Sequence, residues 1–221
     1  MASERILIIG VNWLGDVLFM SPAIRAIRKA NPKAVIGCVV PARCRVLLDN
    51  NPNVNLVITF DERKEDRGLL GFVELVKRLR AHRFDQAFLF HRSMTRTLAV
   101  ALAGVKVRIG YATWKRRWLL TQAVEGPQKD TVHKSKGFLD LVEAAGIPTD
   151  GDTYDLTVPP ADQASAQTFL EEAGCNLEQP FVAIHAGANW NLKRWPAKLF
   201  SRLADQLSER LNVKVVFVGS E

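Results

Sequence analysis

The stretch from Arg5 to Ala26 constrains the fold of this chain more than any other segment does. Ile6 to Ile9 form an unbroken apolar run, the pattern of a strand buried on both faces of a parallel sheet. A turn containing Gly10 and Gly15 follows, and helical spacing of apolar residues then predicts one amphipathic helix that opens at Asp16. Strand, glycine turn and helix form the first half of a βαβ unit. Such units bind ligands beyond the carboxyl end of the strand.

The rest of the chain alternates between strand-like apolar runs and helical patterns. Further strands are predicted at 34–40, 54–60, 84–90, 107–111, 181–185 and 213–218. Helices are predicted at 42–49, 69–80, 93–103, 131–145, 161–173 and 197–211. The helix at 69–80 should place Leu70, Val73, Val76 and Leu79 on its apolar side. Alternating strands and helices predict the α/β class, with a parallel sheet covered by helices on both faces.

A change in composition near position 150 predicts a domain boundary. The stretch 148–160 is rich in Asp, Gly, Thr and Pro, as linkers are. We therefore expect one domain at 1–150, followed at 151–221 by a linker and the beginning of a second domain. The second part holds two predicted strands, and two strands rarely form a stable sheet alone. Either the chain is a fragment, or its last unit docks on the first sheet or on a partner.

The balance of charged residues narrows the classes of molecule that the protein is expected to bind. The 30 Lys and Arg residues exceed the 23 Asp and Glu residues, and the net charge is +7. This balance favours phosphates, nucleic acid or an anionic membrane surface as partners. The charge is spread along the chain, without a recognition-helix pattern or a motif of interleaved basic and aromatic residues. We therefore expect no nucleic-acid partner.

Cysteine usage and hydropathy indicate a cytoplasmic protein. Cys38, Cys44 and Cys175 lack the spacing of metal ligands, so we expect buried free thiols and no metal site. The polar residues 1–5 lead directly into a short strand, which does not resemble a signal peptide. No apolar run reaches the ~18 residues that a membrane-spanning helix needs.

The glycine turn permits two interpretations of Asp16. Gly10 and Gly15 do not form G-x-G-x-x-G and no Walker lysine follows, so the residues favour neither a dinucleotide cofactor nor a P-loop. Gly15 could let the backbone approach a ligand, with the Asp16 carboxylate at the mouth of the crevice. Asp is also among the best N-cap residues, and spacing alone favours that role for Asp16.

Four segments, taken in order, resemble glycosyltransferase family 9, the ADP-heptose:lipopolysaccharide heptosyltransferases. They are NWLGD at 12–16, RIGYATWKRRWLLT at 108–121, VHKSKGFLDLVEAAGIP at 132–148 and HAGANWNLKRWP at 185–196. Within the family, Trp13 and the KRWP ending look more like the second heptosyltransferase of the inner core than the first. The four motifs together span nearly the whole chain.

The resemblance implies a GT-B architecture, in which two Rossmann-like domains face each other across a cleft. It implies an inverting transfer of heptose from ADP-L-glycero-D-manno-heptose to a lipid A–Kdo–heptose acceptor. No cofactor is implied, and the reaction would take place in the cytoplasm, with peripheral contact at the inner membrane. A later family motif, D-S/T-G-x-x-H, is absent from this sequence, so we expect an incomplete donor domain. The alternatives are a non-catalytic acceptor-binding fragment and a family member that uses another nucleotide sugar.

The resemblance also assigns site residues. Asp16 matches the family's general base. With the resemblance included, we therefore favour the role of base over the role of N-cap for Asp16, although one residue can have both roles. The implied donor contacts are Gly187, Ala188, Asn189, Lys193 and Glu221. The implied acceptor contacts are Gly15, Arg63, Lys64, Arg92 and Arg117, from a wider basic set that also includes Arg43, Arg45, Arg67, Arg96, Lys115 and Arg116. The alternative to donor binding by Lys193 is that its side chain only solvates a loop. The alternative to acceptor binding by each arginine is that it lies on a solvated surface.

Overall fold

The computed structural model describes residues 4–61, 66–126, 132–188 and 190–219, and the chain divides into two units, Met1–Thr157 and Val158–Glu221. The first unit contains a sheet of strands β1 (Arg5–Ile9), β2 (Val35–Val40), β3 (Leu56–Thr59), β4 (Gln86–Leu89), β5 (Val107–Tyr111) and β6 (Gln122–Val124). Their order is β3-β2-β1-β4-β5-β6, and every neighbouring pair is parallel. This is the strand order of a doubly wound nucleotide-binding fold. The sequence analysis predicted no strand in the region of β6.

Helices cover both faces of this sheet. They are α1 (Leu14–Phe19), α2 (Ser21–Ala30), α3 (Gly68–His82), α4 (Met94–Leu102) and α5 (Lys134–Ala144), with 3₁₀ helices at Ala42–Leu47 and Arg117–Leu119. Ile6 and Ile8 of β1 join a core cluster with residues of α2 and α5, while Leu7 and Ile9 join a second cluster with α3 and α4. Successive side chains of a strand point to opposite faces, so both faces of β1 are buried and its apolar run is unbroken. The predicted α/β class with a parallel sheet is confirmed.

The prediction of one helix opening at Asp16 is wrong. Two helices occupy the segment, and Met20 lies between them as the C-cap of α1 and the N-cap of α2. The break has a local cause, because Pro22 has no N–H to donate to the Leu18 carbonyl four residues earlier. The Ser21 hydroxyl donates to that carbonyl instead, at 2.7 Å.

The predicted apolar side of α3 is wrong in part. Leu75 and Leu79 are buried and Phe72 and Val76 pack against the same cluster, whereas Leu70 is 86% exposed. The α3 segment carries two overlapping apolar stripes, and the one with residues at i, i+3, i+4 and i+7 from position 72 faces the sheet. The other stripe faces solvent.

Ion pairs hold the residues after position 150 against the first unit. Arg25 of α2 contacts Asp155 at 2.6 Å and Asp150 at 3.2 Å. The Asp155 N–H donates to the Ser21 hydroxyl at 2.9 Å. The division between units therefore falls after Thr157, somewhat beyond the expected boundary at 150.

The second unit contains α6 (Pro160–Glu172), β7 (Phe181–His185), a 3₁₀ helix at Asn191–Lys193, α7 (Ala197–Leu211) and β8 (Lys214–Val218). β7 and β8 are parallel and form a sheet of two strands. Within the described part of this unit, Cys175 and Ile184 are the buried apolar residues. The two core clusters found among the described residues both belong to the first unit.

Candidate active site

The carboxyl ends of β1 and β4 define the candidate site in the first unit. β1 lies between β2 and β4, so the connections leave it in opposite directions. This topological switch point is where doubly wound sheets bind ligands. Residues 10–16 follow β1 at this edge, and residues 90–93 follow β4.

Asn12 holds the loop after β1 through contacts to three other segments. Its amide nitrogen lies 3.1 Å from Nε2 of His91, and its Oδ1 accepts a hydrogen bond of 2.7 Å from Arg96. Its backbone carbonyl accepts a hydrogen bond of 2.7 Å from Arg43. The sequence analysis gave Asn12 no role. The signal that could have identified it is an amide side chain three residues after the end of a buried strand.

Two buried arginines support the same edge. Arg96 is 1% exposed and also donates to the Gly10 carbonyl at 3.1 Å. Arg116 has no exposed surface, and it donates to the carbonyls of Tyr111 and His91, each at 2.6 Å. Burial, with a smaller contribution from the Arg92 charge, lowers the pKa of Arg116 to about 10. Arg116 therefore joins the loops after β4 and β5, which is a structural role.

The remaining acceptor candidates have different surroundings. Arg43 pairs with the nearly buried Asp61 at 2.6 Å, and its guanidinium lies 5.9 Å from the ring centroid of Trp13. Arg92 is exposed and lies over the Tyr111 ring at 5.1 Å. Arg117 is exposed and pairs with Glu125 at 2.6 Å. Arg63 and Lys64 lie outside the described residues.

Asp16 is the third residue of α1 rather than its cap. The N-cap is Trp13, whose side chain makes no capping hydrogen bond, so the N-cap interpretation of Asp16 is wrong. The Asp16 side chain is 16% exposed, and its Oδ2 accepts a hydrogen bond of 2.6 Å from Lys134, the first residue of α5. Across the described chain, no hydrogen bond reaches Oδ1 of Asp16. Lys134 therefore holds one oxygen of this carboxylate.

The fold requires glycine at one of the two glycine positions of the turn and not at the other. A Cβ on Gly10 would lie 2.7 Å from Cγ1 of Val40 and 2.9 Å from the Val39 carbonyl, so packing requires glycine there. A Cβ on Gly15 would meet no atom within 4 Å, and its φ lies outside the left-handed region. The fold therefore does not require glycine at position 15, which is one residue before Asp16.

The donor candidates of the second unit lie on the loop after β7. The Gly187 N–H donates to Nδ1 of His185 at 3.1 Å, and Arg194 donates to the Ala188 carbonyl at 2.6 Å. The Lys193 ammonium is exposed and lies 5.5 Å from the centroid of the Trp190 ring. Arg194 thus closes the loop while Lys193 faces solvent. Asn189 and Glu221 lie outside the described residues.

The structure offers no grouping of metal ligands and no membrane-spanning helix in the part of the chain that it describes. Among those residues, no three His, Cys, Asp or Glu side chains lie together in a way that could hold an ion. No helix there is both long and apolar enough to cross a bilayer. Cys38, Cys44 and Cys175 are buried and unbridged, which confirms the predicted free thiols.

Comparison with known proteins identifies relatives over nearly the whole chain. The model of "Glycosyltransferase family 9 (heptosyltransferase)" matches residues 72–221. The Lipopolysaccharide heptosyltransferase 2 of Escherichia coli K12 is 27% identical over 226 residues, which cover 98% of this chain and 63% of that protein. The chain therefore spans less than two thirds of the length of this curated relative.

Solved structures show the same fold. A glycosyl transferase family 9 structure from Veillonella parvula is similar with a TM-score of 0.88 at 23% identity, over 98% of this chain and 63% of that one. The ADP-heptose LPS heptosyltransferase II of E. coli is similar with a TM-score of 0.77 at 27% identity, over 98% and 64%. The predicted α/β fold of GT-B type is confirmed.

Proposed function

The chain belongs to glycosyltransferase family 9 (heptosyltransferase), and from this we propose that its protein transfers heptose, with inversion, from ADP-L-glycero-D-manno-heptose to the inner core of lipopolysaccharide. Curated relatives are named lipopolysaccharide heptosyltransferase 2, which supports the choice of acceptor, and a similar solved structure is named for ADP-heptose, which supports the choice of donor. The observation that carries the proposal is the Asp16 carboxylate, held by Lys134 at the switch point of the sheet.

Asp16 acts as the general base in this proposal. The acceptor hydroxyl oxygen attacks the anomeric carbon of the heptose as the bond from that carbon to the diphosphate oxygen breaks. The electron pair of the broken bond leaves with ADP, and the hydroxyl proton passes to Oδ1 of Asp16. A carboxylate can serve in this way when it lies within hydrogen-bond reach of the hydroxyl.

The donor loop stabilises the leaving diphosphate. Gly187 and Ala188 let the backbone approach the phosphates, and the exposed Lys193 ammonium offsets the negative charge that develops on them. Asn189 and Glu221 complete the proposed donor set, with Glu221 near the nucleoside. The exposure of Lys193 supports this role, because a cation already paired within the protein would have to be released first.

Acceptor binding uses cations that the fold leaves accessible. Arg96 and Arg116 are buried and bound to backbone carbonyls, whereas Arg92 is exposed at the end of β4. Arg117 can exchange Glu125 for an acidic sugar, because an exposed ion pair contributes only about 0–1 kcal/mol. Gly15, Arg63 and Lys64 complete the proposed acceptor set. The lipid-linked acceptor would bring the protein to the cytoplasmic face of the inner membrane.

The test is heptose transfer by the natural polypeptide that contains this sequence, compared with its Asp16→Asn variant. We expect kcat to fall about 10²–10⁴-fold, the contribution typical of a general base, with both substrates still bound. The matched control is Asp140→Asn, which removes another carboxylate paired with a lysine, at 2.8 Å within α5. This control should retain the activity of the wild type. Full activity in Asp16→Asn would disprove the base assignment.

The same assay separates the alternatives. Activity with a different nucleotide sugar, and none with ADP-heptose, would keep the family and change the substrate. Acceptor binding without transfer by the natural polypeptide would favour the non-catalytic module. The chain spans 63% of the length of its relative from E. coli, so we expect the 221-residue chain alone to be inactive, and transfer by it would contradict this expectation.

A further inference from the structure

The amino-terminal turns of α3 expose an unusual group of apolar side chains. Leu69 is 76% exposed, Leu70 is 86% exposed and Val73 is 40% exposed. The opposite side of the helix is anchored, because Leu75 and Leu79 are buried in the core. The helix therefore has a fixed orientation, and it holds Leu69, Leu70 and Val73, the α3 apolar patch, towards solvent. Removal of such leucine side chains from water is favourable, and this fold leaves that contribution unused.

Basic side chains border the α3 apolar patch. Arg67 immediately precedes the helix, and Lys77 lies one turn beyond Val73 on the same side; both are exposed. Glu74 is the single acidic residue in the α3 segment. Apolar residues beside exposed lysine and arginine are typical of helices that lie in the interface of a bilayer. The long basic side chains can reach lipid phosphates while their stems remain on apolar surface.

The α3 apolar patch lies at the same edge of the sheet as the candidate site. α3 follows β3 in the chain and α1 follows β1, and both strands run parallel in one sheet. The amino ends of both helices therefore lie at the carboxyl edge of the sheet. A surface that contacts the patch would lie beside the edge that carries Asp16.

We propose that the α3 apolar patch seats this protein on an anionic phospholipid bilayer, with Leu69 and Leu70 inserted and Arg67 and Lys77 on lipid phosphates. The relation to Asp16 rests on the proposed function, since an acceptor linked to lipid must be reached at a membrane. Membrane binding itself does not depend on that function. A second copy of the chain fits the patch less well, because a two-fold interface would bring the same cations face to face.

The test is co-sedimentation of the 221-residue chain with vesicles, which needs no enzymatic activity. One set contains phosphatidylcholine alone, and the other contains about 30 mol% phosphatidylglycerol as the anionic lipid. We expect binding to the anionic vesicles only. The Leu69→Ser/Leu70→Ser variant should lose about tenfold or more in partition coefficient. Lys77→Glu should also weaken the binding.

The matched control is Leu102→Ser/Val107→Ser. These residues are 48% and 40% exposed, at the end of α4 and the start of β5, which is the opposite edge of the sheet. The control should bind vesicles as the wild type does. Equal binding by the wild type and by Leu69→Ser/Leu70→Ser would overturn the proposal. So would a change confined to the oligomeric state measured by light scattering, because the patch would then contact protein.

These outcomes are separable from failure of the proposed function. Heptose transfer to a delipidated acceptor, without binding to vesicles, would refute the bilayer contact alone. Vesicle binding through the patch, with no heptose transfer by the natural polypeptide that contains this sequence, would refute the proposed function and leave the contact in place.

Discussion

Lys134 is a residue whose position is better explained by the site than by helix stability. It occupies the first position of α5, where the positive end of the helix dipole disfavours a cation. Its ammonium contacts Oδ2 of Asp16 at 2.6 Å across 118 positions of sequence. Nearby, the His133 ring packs edge-on against Phe19 of α1 at 4.8 Å, so the start of α5 is docked on α1. Lys134 therefore orients the carboxylate that we propose as the base.

Replacement of Lys134 by Met should lower kcat about tenfold, a loss of about 1.4 kcal/mol of transition-state stabilisation, with little change in the KM of the acceptor. The physical reason is that Asp16 loses the contact that orients its carboxylate. Steady-state kinetics would measure the effect, and Lys134→Arg should restore most of the activity. Lys136→Met is the control, because Lys136 pairs with Asp140 at 2.8 Å in the same helix.

A double-mutant cycle distinguishes positioning from direct binding by Lys134. If Lys134 acts through Asp16, then Lys134→Met has no further effect in the Asp16→Asn background. A raised KM for the acceptor at unchanged kcat would mean that Lys134 binds the acceptor instead.

Gly15 provides a second test at the residue scale. Alanine is favoured over glycine within helices by about 0.5–1 kcal/mol, and a Cβ at position 15 meets no atom within 4 Å. Gly15→Ala should therefore leave the free energy of unfolding unchanged or raise it. If the backbone here approaches the acceptor, kcat/KM for the acceptor should fall about tenfold, since the methyl group occupies that approach.

Gly137→Ala is the matched control for Gly15. Gly137 lies inside α5, and a Cβ there also meets no atom within 4 Å. The control should change stability in the same direction and leave activity at the level of the wild type. Unchanged kcat/KM in Gly15→Ala would remove Gly15 from the acceptor set.

At the scale of single elements, the buried side chains of β2 and β5 determine how stability responds to alkaline pH. Burial raises the pKa of Cys38 on β2 from 9.0 to about 12, and it raises the pKa of Cys44. Burial, followed by the charge of Asp140, raises the pKa of Tyr111 on β5 from 10.0 to about 12. For these groups, the unfolded chain loses a proton at a pH where the folded chain keeps it. Their contribution to stability is complete below the unfolded pKa and is lost as pH rises.

The free energy of unfolding should therefore fall between pH 9 and pH 10, where the cysteines dominate. Each fully ionised thiol of the unfolded chain contributes a slope of about −1.4 kcal/mol per pH unit. Urea unfolding near neutral pH, at pH 9 and at pH 10 would measure the slope. Cys38→Ala should reduce it, whatever the variant's stability at neutral pH, and an unchanged slope would contradict the assignment to Cys38. Above pH 10 the lowered pKa of Arg116 acts with the opposite sign.

At the scale of the whole molecule, the two units differ in their capacity to fold alone. Both core clusters lie within Met1–Thr157, and described residues of the second unit bury Cys175 and Ile184. A polypeptide of residues 1–157 should therefore unfold cooperatively in urea, whereas residues 158–221 should show no cooperative transition. Circular dichroism would measure both. Loss of cooperativity in residues 1–157 would contradict this division.

A shorter polypeptide tests where the first unit ends. Residues 1–150 lack Asp155, and with it an ion pair to Arg25 and a hydrogen bond to Ser21. We expect this polypeptide to be less stable than residues 1–157 by about 1 kcal/mol. Equal stability would favour the boundary at 150 that the composition predicted.

The sequence by itself determined most of the elements and the class of the fold. The apolar run of β1 and the bounds of β5, β7 and α7 followed from local pattern, because burial on one or two faces imposes a period on the chain. The glycine turn and Asp16 were also evident, and the motif order led to the family. The break before Pro22 was visible in principle, since its cause lies within five residues.

Only the tertiary structure decided which polar side chains serve the fold and which remain accessible. Arg92, Arg96, Arg116 and Arg117 are the same residue type in similar local settings, yet two are buried on carbonyls and two are exposed. The contacts that distinguish them span up to 86 positions of sequence, as in Arg96 to the Gly10 carbonyl. The periodicity of apolar residues indicates only which face of a segment is buried and which face contacts water. The partner of a guanidinium or a carboxylate depends on which distant segment the fold brings within hydrogen-bond distance.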